Sequence, residues 1–110
     1  MKREIITLCG STRFREQFRE VERKLTMEGK VVLPPAFYGK AEGLEYSSEM
    51  EKGLWELHLD KINISNGIYV INPEGYIGES GKKEIEYAQN AGKFIRYYSE
   101  EFNSPKIGLK

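Results

Sequence analysis

Two short segments carry residues whose types and spacing could do chemistry. The first is Cys9-Gly10-Ser11-Thr12-Arg13. A glycine at the end of an apolar run lets the backbone turn tightly, and Ser11 or Thr12 can cap the helix that follows. The start of that helix then offers unbonded N–H groups to an anion, and Arg13 could add a charge-assisted contact to a phosphate or carboxylate. An ordinary cap with a surface arginine explains the same residues, and this segment alone slightly favours that plainer reading. It matches neither G-x-x-x-x-G-K-[ST] nor G-x-G-x-x-G, the two best-defined phosphate loops.

The second segment runs from Gly75 to Ala88. Gly75, Gly78 and Gly81, with Ser80 among them, place a flexible, N–H-rich loop before a helix and put Glu84 in that helix's first turn. The helix dipole favours an acid there, so the default for Glu84 is a structural role. His58 lies mid-helix, four residues from Leu54 and four from Ile62. A lone histidine on such a face is most often a satisfied structural residue, but near the strand ends it could hydrogen-bond a sugar hydroxyl or a base. Asp60 faces another side of the helix, reads as exposed, and competes with His58 for a site role. Arg15, Arg19 and Arg23 form a basic stripe, but the interleaved Glu16, Glu20 and Glu22 make it a solvated, salt-bridged face. Phe37 and Tyr38 could stack on a base or pack as a lid. Cys9 reads as a small buried apolar residue.

These residues must be positioned by elements that alternate between strand and helix. Ile5 to Cys9, Val31 to Leu33, Ile68 to Ile71 and Phe94 to Tyr98 are short apolar runs rich in β-formers. Phe14, Phe18, Val21 and Leu25 recur at helical spacing, with Gly29 as the stop. Pro34-Pro35 ends the second strand and opens a long loop to Tyr46. Ser48-Glu49-Met50-Glu51 has the form of a capping box, starting a helix that runs to Asn66-Gly67. A further helix spans about Gly81 to Ala91. The pattern predicts an α/β, flavodoxin-like (Rossmann-type) three-layer sandwich with a four- to five-stranded, mostly parallel sheet in the order 2-1-3-4. Ligands in such sheets sit beyond the carboxyl ends of the strands at the switch point, where the two segments above meet.

The whole chain supports one domain over residues 1–98, followed by a polar tail over 99–110 that contains Pro105. Lys plus Arg and Asp plus Glu number 17 each in 110 residues, so no charge excess points to a nucleic acid polymer or an anionic membrane. The single cysteine excludes an internal disulfide, and with one histidine it argues against a zinc site of the usual His/Cys type. No apolar stretch has the length of a signal peptide or a membrane span, so a cytoplasmic location is expected.

Taken together, C-G-S-T-R-F after the first strand, H-x-x-K-I in the middle helix and G-Y-I-G-x-S-x-x-E-I-x-Y-A near the end resemble the nucleoside 2-deoxyribosyltransferase superfamily, which includes related nucleotide N-glycosidases. The similarity spans about Ile5 to Tyr98, and E-I-x-Y-A is its most specific part. The resemblance implies an enzyme that cleaves or exchanges the N-glycosidic bond of a nucleoside or nucleoside 5′-monophosphate. Glu84 matches the family's nucleophile, which forms a covalent glycosyl-enzyme resolved by water or a second base. Gly10, Ser11, Thr12 and Arg13 match the first loop, beside the sugar and any 5′-phosphate, while Gly78, Ser80 and Gly81 lie in the second. His58 takes the position of an Asp in the transferases, and Asn66 and Gly81 stand where relatives often have Asp and Thr. No cofactor is implied. In the transferases a neighbouring subunit can complete the site, which implies a homodimer or higher homo-oligomer here. The alternative is a nucleotide or ADP-ribose-type sensor that keeps the cradle without turnover; a Glu84→Gln variant separates the two.

Overall fold

The computed structural model describes residues 2–36 and 45–102. Four strands, β1 (Ile5–Gly10), β2 (Val31–Leu33), β3 (Gly67–Ile71) and β4 (Phe94–Tyr97), form one sheet in the order β2-β1-β3-β4. All three pairings are parallel: Ile5 lies opposite Val31, Cys9 opposite Val70, and Ile68 opposite Ile95. This is the expected flavodoxin-like order, with four strands in the described residues.

Side chains alternate along the central strands and so sort into two cores. Ile6, Leu8, Tyr69 and Ile71 face Phe18, Val21 and Leu25 of helix α1 (Arg15–Met27). Cys9, Ile68 and Val70 face Ile62 of helix α2 (Ser48–Ile64) and Ala88 of helix α3 (Glu79–Asn90). One long helix therefore covers one face, two cover the other, and the sheet is the middle of three layers. On the second face β1 sends Cys9 toward α2 and α3. Among the described residues no helix is long and apolar enough to cross a membrane.

Several local expectations shift. Neither Ser11 nor Thr12 caps α1: residues 11–14 form a turn closed by Phe14 N–H to the Ser11 carbonyl (3.1 Å), and the helix starts at Arg15 with no side-chain cap. The cap of α2 is Ser47, whose hydroxyl accepts from Met50 N–H (3.1 Å), not Ser48 of the expected box. Helix α3 starts at Glu79 after Gly78, earlier than Gly81, because Glu79 and Ser80 continue the helix rather than the loop. Glu84 consequently sits in the second turn, where the dipole no longer explains an acid. Tyr98 leaves β4, buries its ring in the α1-side core and opens a short helix, α4 (Tyr98–Glu101). The residues read as the start of a polar tail therefore return to the sheet. Phe102 stacks on Tyr98 at a centroid distance of 4.5 Å, and Glu101 pairs with Arg96 at 2.8 Å. Residues 103–110 and the loop residues Phe37 and Tyr38 lie outside the described residues.

Candidate functional site

The site forms at the carboxyl ends of β1 and β3. Gly10 closes β1 with φ +134°, and a Cβ there would stand 2.7 Å from the Ile71 carbonyl oxygen. Only glycine lets the two strands run this close and still release the chain into the Ser11 turn. Across the gap, Asn72 to Ile77 carry the chain around a 3-10 turn (Pro73–Gly75) to the N-terminus of α3. The first N–H groups of any helix lack an intrahelical acceptor, and those of α3 open on a cleft of about 430 Å³ lined by Gly10, Ser11, Thr12, Gly78, Ser80 and Gly81. Tyr76, Glu79 and Glu84 complete its wall. Glu79 is exposed and pairs loosely with Lys82 at 3.8 Å, so its charge is largely screened at this mouth.

A second cleft of about 280 Å³ meets the first along Gly10, Ser80 and Glu84. Its other walls are Pro35, Ala36, Glu51, Leu54, Trp55 and His58. Glu84 thus stands between a polar hollow rich in backbone N–H groups and one walled by an indole and aliphatic side chains.

Glu84 itself is only 7% exposed. Its Oε2 lies 3.4 Å from His58 Nε2, while its Oε1 is buried with no hydrogen-bond partner among the described residues. Leaving such an atom unpaired costs about 1–3 kcal/mol or more, a cost expected where a group is kept available for a ligand. Cys9 Sγ lies 3.5 Å from the same Nε2. A nucleophile–base–carboxylate relay uses opposite ring nitrogens; here one nitrogen faces both partners, so no Cys-His-Glu relay exists. Burial, and then the Glu84 carboxylate, push the Cys9 thiol well above its ordinary range, which leaves it a poor nucleophile.

The residues singled out in the sequence divide as follows. Gly10, Ser11, Thr12, Gly78, Ser80, Gly81 and Glu84 share the polar cleft, and His58 joins Glu84 from α2. Arg13 does not line either cleft; its guanidinium is stacked over the rings of Tyr76 (4.4 Å) and Phe14 (5.0 Å) beside the mouth. Asp60 is exposed and lines neither cleft; it borders an apolar groove with Leu57 and Ile64 that His58 also lines. Arg19, Glu20 and Arg23 form a solvated face on α1, as read. Trp55, Tyr76 and the proximity of Cys9 to the acid went unread. Trp55 carried a usable signal: it is the chain's one tryptophan and precedes His58 by a single helical turn. No family model matches the chain, and no curated protein matches it.

Proposed function

We propose that the protein cleaves or exchanges the N-glycosidic bond of a nucleoside or nucleoside 5′-monophosphate, with Glu84 as nucleophile. The observation that carries this reading is the buried, unpaired Glu84 Oε1 at the boundary of the two clefts. A substrate with an anionic or hydroxyl-rich end and a flat apolar end would lay its linking bond across this acid. The sugar and any phosphate fit against the Gly10–Thr12 turn and the α3 N-terminus, and the base fits beside Trp55. His58 restrains Oε2 and leaves Oε1 to attack C1′. The C1′–N bond breaks as the C1′–O bond forms, and the electron pair leaves with the base, which takes up a proton. Water or a second base then attacks C1′ and releases the carboxylate. No cofactor is needed for these steps. The motif resemblance supports the same assignment.

The test is chromatographic detection of free base from a panel of nucleosides and 5′-monophosphates, wild type beside Glu84→Gln. Base released by wild type and lost in the variant is the expected result, and a second added base separates transfer from hydrolysis. No release from any substrate by a folded protein that still binds a nucleotide would sink the enzyme and leave the sensor.

A further inference from the structure

Cys9 Sγ, His58 Nε2 and a Glu84 carboxylate oxygen lie within 4.8 Å of one another, and the glycosidic reaction has no use for the thiol. Two of the separations are 3.5 Å (sulfur to nitrogen) and 3.4 Å (nitrogen to oxygen). Around a tetrahedral zinc ion, with Zn–S about 2.3 Å and Zn–N or Zn–O about 2.0–2.1 Å, adjacent donors stand roughly 3.5 Å and 3.4 Å apart for these same pairs. The third pair, sulfur to oxygen, lies within 4.8 Å and would draw in to roughly 3.5 Å around the ion. A single ring nitrogen facing both other donors suits convergence on one point. The donors come from β1, mid-α2 and α3, which are regular elements and not loops. Glu84 is more than nine-tenths buried, and its Oε1 lacks a partner among the described residues.

We propose that Cys9, His58 and Glu84 form a three-ligand site for a zinc-type divalent cation, with a fourth position open to the cleft beside Trp55. Three protein ligands and one open position are the arrangement of reactive rather than purely structural zinc sites. A thiolate with an imidazole selects zinc over magnesium or calcium, which prefer all-oxygen shells. The count of one cysteine and one histidine had argued against such a site; the carboxylate supplies the third ligand, and only the fold gathers the three. Metal binding occupies the carboxylate that would attack C1′, so the ion and the sugar reaction exclude one another. That consequence alone rests on the function proposed above.

The test is titration of metal-free protein with Co²⁺ as a coloured stand-in, followed by displacement with Zn²⁺. Wild type is expected to bind one ion per chain, with the visible bands of four-coordinate cobalt and a near-ultraviolet thiolate charge-transfer band. Cys9→Ser should lose the charge-transfer band and weaken Zn²⁺ binding by at least about 10–100-fold, the range that even outer-shell changes reach. Glu84→Gln should keep that band and still bind more weakly. X-ray absorption at the zinc edge on wild type needs no variant and should find one sulfur neighbour. A first shell of nitrogen and oxygen alone, or unchanged Zn²⁺ affinity in folded Cys9→Ser, would overturn the proposal. Loss of base release with these metal signatures intact would count against the glycosidic reading only.

Discussion

Glu84 occupies a helix position that no local rule asks to be acidic, beside a histidine and with one oxygen unpaired. Under the proposed reaction its replacement should be severe and its neighbours' milder. Glu84→Gln should lower base release by at least ~1,000-fold, since a carboxamide cannot form the glycosyl ester, as measured by single-turnover chromatography. Trp55→Ala removes a wall of the apolar cleft and not the reacting group. It should raise KM more than it lowers kcat, the signature of lost uniform binding. Gly10→Ala tests the backbone beneath the site: a side chain at φ +134° would press on Ile71. It should destabilise the fold by about 1–3 kcal/mol, read by urea denaturation.

Among the elements, α1 and α2 hold the sheet in different ways. Helix α1 inserts Val21 and Leu25, both 0% exposed, between itself and β1. Leu25→Ala should cost about 2–5 kcal/mol of stability, and little activity if the protein remains folded. Helix α2 buries few residues and depends more on its ends. Its cap is Ser47, and near its C-terminus Ser65 and Thr7 lie 2.6 Å apart with Ser65 donating to the Lys61 carbonyl (2.7 Å). Ser47→Ala should therefore cost about 1 kcal/mol while Ser48→Ala costs almost nothing, a contrast that equilibrium unfolding resolves. Because His58 rides on this helix, how firmly α2 is held decides how well Glu84 is restrained.

At the scale of the whole molecule, one polar network joins the ends of α1, β4 and α4. Arg96 pairs with Glu101 at 2.8 Å and Glu28 at 3.2 Å, and Lys24 with Glu28 at 2.7 Å. Tyr69 donates to Glu101 at 2.9 Å, while its ring lies under the Arg96 guanidinium. Arg96, and then Lys24, lower the Glu28 carboxyl from 4.5 to about 2, and Arg96 lowers Glu101 as well. Depressed folded-state values mean that this stabilisation is complete above the unfolded pKa and fades as pH falls from about 4.5 toward 2. Urea midpoints across that window should drop in wild type and drop less in Arg96→Met. Leu57 and Ile64 are 57% and 64% exposed beside the apolar groove on α2, so a homo-oligomer of the kind the motif resemblance implies is testable at this face. Light scattering should then give a multiple of the 12.7 kDa chain mass, reduced by Leu57→Glu.

The sheet was legible in the sequence because short apolar strands and a 3.6-residue helical period are local properties. Ile5 to Cys9, Phe18-Val21-Leu25 and the glycine stops each declare themselves within a few residues, and the handedness of parallel crossovers then orders the strands. Gly10, Ser11 and Ser80 could be placed at the site for the same reason, since strand ends at a switch point adjoin. Starts and caps were less legible: Ser47 and Ser48 are equally good caps by type, and only backbone geometry chose between them. The motif resemblance brought His58 and Glu84 to one site, but the approach of Cys9 to both could not be read. Positions 9, 58 and 84 have no spacing in common, and their approach depends on how far α2 and α3 lean over the end of β1. That lean is set by side-chain packing among Cys9, Ile62, Val70 and Ala88, a tertiary property with no local trace.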